Sequence, residues 1–313
     1  MFINKKSSDI LKNRILSENE VFCRSLFLSA RWFIINQVAG DGLHVVILPG
    51  RETAEYCSSD FYSLVEGDKV FFLPSSGKNI EKSNYKSSLS VQRTAAIEKI
   101  LNYNSDRLFI VTYPEALEEL LPSIGNIKES LYTVKIGDNI SFEVIKDKLV
   151  SEGFNKVDFV SAPGQFAIRG SIIDIFSFSR NNPFRISFWG DEVEDIHLFD
   201  CNTQLSISKE DKAEIISDII SEGSDTGQNV LDILPDNTLL WLDSSDMYKD
   251  KPFFELTKKY KRIYTDIPLS RQDADAIEFD IAPQPVFNKN FELLSEDIKS
   301  RMEEGYEVYI YGE

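Results

Sequence analysis

The sequence predicts an α/β fold in which a parallel sheet, covered by helices on both faces, is interrupted by a small antiparallel α+β module. Three observations carry this reading. Near-continuous apolar runs of strand length recur at 43–49, 69–74 and 107–114, separated by helical stretches, which is the pattern of strands buried on both faces. Between about 125 and 208 the strands instead follow one another across turn-type separators, Pro163-Gly164 and the run 179–183, as in an antiparallel meander. From about 209 helix and strand alternate again. A chain of 313 residues also exceeds the ~250–300 at which a single core stops growing, so more than one domain is expected.

Taken in order, LFLSARWFIINQVA (26–39) has helical periodicity, LHVVILP (43–49) is a buried strand, and TAEYCSSDFYSLV is a helix leading to strand KVFFLP (69–74). SVQRTAAIEKILNY (90–103) reads as a helix, RLFIVTYP (107–114) as a strand and EALEELLPS as a short helix. In the module, YTVKIG is a strand and ISFEVIKDKLVSEGF (140–154) an amphipathic helix ended by its Gly-Phe. Strands follow at VDFVSAP, QFAIRGSIIDIFSFS, PFRISFWG and EVEDIHLFD. The resumed alternation comprises EDKAEIISDIIS, NVLDILPDNTLLWLDSS, FFELTKKYKRIYTD and FELLSEDIKSRMEEGYEVYIYGE. Its closing YEVYIYGE reads as a strand without a return connection, so the chain is expected to be the front part of a longer protein. The expected division is an α/β domain over 1–124, the module over 125–208, and a continuation of the α/β domain over 209–313 that packs with the first part as one core.

Composition narrows the function. With 34 Lys+Arg against 51 Asp+Glu the net charge is −17. Such a surface repels a polyanion, and phosphate contacts are made chiefly by Lys and Arg. Autonomous nucleic-acid binding is therefore not expected, although a local basic patch stays open. Cys23, Cys57 and Cys201 are widely spaced, and His44 and His197 stand far apart, so no metal-ligand spacing emerges and reduced thiols are expected. The start, MFINKKSSDI, lacks the apolar run of a signal peptide, and a soluble, cytoplasmic protein is expected.

An α/β domain broken by a β insertion suggests a motor, which needs a phosphate-cradling GxxxxGK[ST] loop. The one Gly-Lys pair, Gly77-Lys78, fails this pattern, because position 72 is Phe and Lys78 is followed by Asn79. Asp191-Glu192 could be the acidic pair of a nucleotide hydrolase. Lying after Gly190 between two strands, however, it reads better as hairpin turn chemistry. No catalytic residue is assigned. In PFRISFW (183–189), Phe184, Ile186 and Phe188 form a core face and Arg185, Ser187 and Trp189 the opposite one. Arg185 could pair with Asp191 or Glu194 as a surface bridge. Alternatively, Arg and Trp on one outward face could mark an interface, since these residues dominate hot spots. The facing of Arg169 stays open, because Gly170 could host a bulge.

The string APGQFAIRGSIIDIFSFSRNNPFRISFWGDEVEDIHLFDCNTQLS (162–206) resembles the module shared by UvrB and the bacterial transcription-repair coupling factors, the Mfd family. The matching positions include Pro163, Gly164, Phe166, Arg169, Gly170, Asp174, Pro183, Arg185, Asp191, Glu192, Phe199, Asp200 and Gln204. The flanks favour Mfd over UvrB, because SLFLSARWFII (25–35) has neither the glycines nor the lysine of a phosphate loop. The resemblance implies a degenerate RecA/helicase-like domain of UvrB domain 1 type, interrupted by a module of UvrB domain 2 type. It implies a non-catalytic segment that recruits UvrA through Arg169, Arg185 and an aromatic, here Trp189 where the family usually has Phe. In that family the full-length protein is a translocase that uses ATP and Mg and meets RNA polymerase and double-stranded DNA. No cofactor, metal or membrane contact is implied for this segment. The alternative is a UvrB-like, ATP-dependent, damaged-DNA-binding helicase subunit.

Overall fold

The computed structural model describes residues 5–26, 29–65, 69–76, 83–121, 131–178, 180, 182–217, 227–265, 275–281 and 285–308. The chain opens with α1 (Lys5–Ser17), β1 (Glu20–Arg24), α2 (Ala30–Val38), β2 (Leu43–Ile47), α3 (Arg51–Leu64), β3 (Val70–Phe72), α4 (Ser83–Leu101), β4 (Leu108–Thr112) and α5 (Pro114–Glu118). The module follows with β5 (Leu131–Lys135), α6 (Phe142–Ser151), β6 (Asn155–Lys156), β7 (Gln165–Arg169), β8 (Ile172–Phe176), β9 (Phe184–Trp189), β10 (Glu192–Phe199), β11 (Ser206–Lys209) and β12 (Lys212–Ile216). Beyond it lie β13 (Leu239–Leu242), α7 (Pro252–Leu256), β14 (Lys261–Tyr264), β15 (Ile277–Glu278) and α8 (Phe291–Glu303).

Strands from both sides of the module build one sheet in the order β15-β1-β14-β13-β2-β4-β3. Its described pairings are all parallel. Every residue of β2 and of β4 is buried, which is why these strands read as unbroken apolar runs. Alternate side chains of β2 feed opposite layers. Val46 joins Trp32, Ile35 and Phe61 on one face, while Val45 and Ile47 join Ala96, Ile97 and Phe253 on the other. Helix α3 reaches its layer through Ala54, Cys57 and Phe61, one helical face at i, i+3 and i+7. Helix α5 begins on Pro114, whose missing N–H is no loss at a first helical position.

The module is a six-stranded sheet in the order β11-β10-β9-β8-β7-β6 with a β12-β5 pair beside it. One face carries Phe166, Ile173, Ile175, Phe184, Ile186, Phe188 and Val193 against Ile145 and Leu149 of α6. Gly153, at φ +81°, ends α6, where a left-handed residue closes the last turn. The opposite face holds a small apolar cluster of Val160, Ala167, Phe176 and Phe199.

Four expectations need correction. VDFVSAP is not a strand. The short β6 lies just before it, and the Ser161 and Ala162 amides donate to Gln165 Oε1 at 2.8 and 3.1 Å, so a side chain rather than a neighbouring strand satisfies them. QFAIRGSIIDIFSFS is two strands turned at Gly170-Ser171. The helix–strand alternation does not resume at 209 either. Lys212–Ile216 pairs antiparallel with β5, and its Ala213 and Ile215 enter the module core. Tyr306 to Val308 carry no strand. Gly77-Lys78 and the last five residues lie outside the described residues.

Candidate partner-binding face

Hairpin geometry decides which side chains reach the outer face. Gly170 (φ +61°) and Gly190 (φ +62°) each occupy the first of two turn positions, where a type II′ hairpin places glycine. Arg169 pairs directly with Ile172 and Trp189 with Glu192. Gly170 therefore turns the chain without a bulge, and Arg169 keeps the alternation of β7. Asp191-Glu192 is the hairpin corner that the sequence suggested, and the Asp191 carbonyl accepts from the Ile140 amide at 2.8 Å.

Across the face, Ala167 and Arg185 both stand directly opposite Asp174. Asp174 is 1% exposed, a buried carboxylate that must be paired to stay charged. Arg185 Nε donates to Asp174 Oδ1 at 2.7 Å and Nη2 to Oδ2 at 2.9 Å, the fork that matches a carboxylate best. Arg169 Nη2 donates to the same Oδ2. The expected pairing of Arg185 with Asp191 or Glu194 is thus replaced by Asp174, because Asp191 is held in the turn while Asp174 faces Arg185 across the ladder.

Both guanidinium groups rest on aromatic rings. Arg185 lies 4.1 Å from the Phe199 centroid and Arg169 4.9 Å from that of Phe159, within cation–π range. Gln204 Oε1 accepts a further bond from Arg185 at 3.0 Å, and Gln204 Nε2 donates to the Cys201 carbonyl at 2.8 Å. The loop bearing Gln204 is built on Asp200, whose carboxylate accepts the Asn202 and Thr203 amides at 3.0 and 2.7 Å. The Thr203 bonds hold the Asp200 carboxyl below its ordinary range. Hydrogen bonding to Asp174 raises the Arg185 guanidinium above its ordinary value.

The arginines keep 36% and 21% of their side-chain surface open. Trp189 stands apart from the network, four residues beyond Arg185 on the same side of β9 and 79% exposed. At ~3.3 Å per residue that separation is about 13 Å. Sequence reasoning named the two arginines and the tryptophan as candidates but not what orients the arginines. Asp174, Phe199 and Gln204 enter the sequence reading only as matching positions without a role, and Phe159 not at all. A carboxylate inside the apolar run IIDIF was the available signal, since it calls for a cation.

Matching this module to known families completes its description. Residues 132–218 match the UvrB interaction domain. The matched span holds Arg169, Asp174, Arg185, Trp189 and Gln204, and it begins in β5 and ends just past β12. Over a longer stretch the chain is similar to transcription-repair-coupling factors. It is 30% identical to that of Bacillus subtilis over 198 residues, 63% of this chain and 16% of the relative. It is 28% identical to that of Mycobacterium bovis over 192 residues, 58% of this chain and 15% of the relative. The UvrABC system protein B of Ureaplasma parvum is 34% identical over 143 residues, covering 45% of this chain and 21% of that protein. The chain therefore corresponds to a small fraction of the length of its curated relatives.

At the carboxyl ends of the parallel strands, where open α/β sheets place ligands, Asp243 follows β13. It pairs with Arg31 of α2 and lies 3.3 Å from the Thr265 hydroxyl. Among the described residues no group of three His, Cys, Asp or Glu could hold a metal ion, and no helix is long and apolar enough to cross a membrane.

Proposed function

We propose that this chain is a non-catalytic recruiting segment of a transcription-repair coupling factor and that the module docks UvrA through Arg169, Arg185 and Trp189. In a full-length protein, that docking would link RNA polymerase stalled on double-stranded DNA to nucleotide excision repair. ATP and Mg would serve translocase domains beyond this sequence. The observation that carries the reading is the outer face of the module. Two arginines are fixed on one buried carboxylate with their outer edges open, on the same face as a largely exposed tryptophan. Arg and Trp are the types that supply most binding energy in protein interfaces, and a fixed guanidinium loses little freedom on docking.

Titration calorimetry against UvrA, with the Arg169→Ala/Arg185→Ala double variant beside the unaltered chain, tests it. The unaltered chain binds, and the variant loses ~2 kcal/mol or more per arginine. Absence of binding by the unaltered chain would reject the reading. The UvrB-like helicase alternative requires a nucleotide site. A rise in melting temperature with ATP, as mass action demands of a bound ligand, would favour that alternative.

A further inference from the structure

Beneath the surface just described lies a residue that no partner can reach. Asp174 is sealed beneath the face, yet both candidate contact arginines end on it, and they do so from different strands. Arg169 arrives from β7 and Arg185 from β9, on either side of β8. One carboxylate thus binds two cations, leaving the trio with a surplus positive charge in a chain whose net charge is −17. Phe199 lies under one guanidinium and Phe159 beside the other, so each plane is fixed by a hydrogen bond at one edge and by a ring on one side. What stays open is the remaining edge of each fork.

We propose that Asp174 is the positioning residue of this docking surface: its buried carboxylate sets the spacing and orientation of the Arg169 and Arg185 guanidinium groups, and Gln204 completes the setting for Arg185. This rests on the recruiting role proposed above. It makes the docking edge a preformed donor array, suited to a partner surface that offers carboxylate or carbonyl acceptors. Freed from Asp174, the two long side chains would sample many rotamers, and binding would have to order them again. The ion pairs alone do not require this role, because a buried pair is weak evidence for stability. The sharing of one anion between two outward cations is the distinguishing feature.

The test uses Asp174→Asn, which keeps shape and removes charge, in the full chain. Two readouts are needed. In the free protein, nitrogen-15 NMR of the arginine Nε–H groups reports positioning without any partner. Arg185 Nε–H, bonded to Asp174 in the unaltered chain, shows a shifted and slowly exchanging signal that becomes average in the variant. With UvrA, affinity falls by at least about tenfold, and this loss vanishes when Asp174→Asn is combined with the Arg169→Ala/Arg185→Ala changes, because coupled residues are not additive. A purely structural role would instead give an equal loss in both backgrounds and would overturn the proposal. Unchanged affinity of Asp174→Asn would overturn it as well. If Asp174→Asn does not fold, Gln204→Met carries the test, with a loss of a few-fold that disappears in an Arg185→Ala background. An unaltered chain that shows the ordered Arg185 signal but does not bind UvrA would reject the recruiting role, and the docking part of this proposal with it. An averaged Arg185 signal in a chain that does bind would reject the positioning role alone.

Discussion

Two buried aspartates in this molecule each meet arginine, with different results. Asp243, at the carboxyl end of β13, pairs with Arg31, whose side chain is only 14% exposed and whose guanidinium lies 5.2 Å from the buried Trp32 ring. Both partners lie largely inside the fold there. Asp174, in the module, has two arginines, and both are more open. The same ion-pair chemistry is largely buried in the parallel-sheet region and stands on an outer face in the antiparallel one. The difference lies in exposure and in strand direction. Asp243 follows a parallel strand and meets an arginine from a helix, whereas the antiparallel ladder places Asp174 and Arg185 directly opposite each other on a face with no helix over it among the described residues.

The largest expected effect separates the two pairs. Arg31→Ala removes the cation from a sealed pair and is expected to cost about 3–5 kcal/mol of stability, read by denaturant unfolding, while UvrA affinity in the still-folded fraction stays unchanged. A change of affinity with little loss of stability would mean that the two regions had been assigned the wrong way round.

Acid should sharpen the contrast next, because His44 belongs to the host sheet alone. The ring is buried, its Nδ1 accepts from Trp241 Nε1 at 3.2 Å, and its Nε2 lies 3.1 Å from the Gly40 carbonyl. Burial lowers its pKa to about 4, against about 6.5 in an unfolded chain. Between these values the unfolded state binds the proton and the folded state does not, so stability is full above pH 6.5 and falls as the pH drops towards 4. The full loss is on the order of 3 kcal/mol. Thermal unfolding at stepped pH values should show this slope, and His44→Gln should flatten it. The same slope in the variant would exclude His44 as its source.

Trp189→Ala addresses the module from the other side. The ring is exposed, so stability should move by no more than about 0.5 kcal/mol, while UvrA binding should weaken by about 2 kcal/mol. Equal affinity would remove Trp189 from the surface and leave the arginines. The smallest effect is expected from Gly190→Ala. A Cβ there meets nothing within 4 Å, so the expected cost is the left-handed backbone alone, about 1 kcal/mol. A much larger loss on unfolding would indicate that the turn is packed.

Much of the fold is legible in the sequence for physical reasons that can be named. The buried strands β2 and β4 carry no polar alternation, and the face of β9 is set by strict alternation from Phe184 to Trp189. Both signals are local. What the sequence hid is non-local. The partner of Arg185 lies eleven residues away on another strand, and spacing alone does not choose Asp174 over Asp191 or Glu194. β12 was obscured because the strand it completes, β5, lies some eighty residues earlier, while its own short run KAEII suits either structure. VDFVSAP has strand-like composition but is bound into a turn by the side chain of Gln165, a choice that no periodicity records.

Hydrogen–deuterium exchange of this chain with and without UvrA tests the central claim most directly, because it reports every part of both regions at once. The account predicts protection on the β7–β8 and β9–β10 hairpins and on the loop carrying Gln204, with the carboxyl ends of β2, β13 and β14 unchanged. Protection at those strand ends, with the module face exchanging as in the free chain, would contradict it.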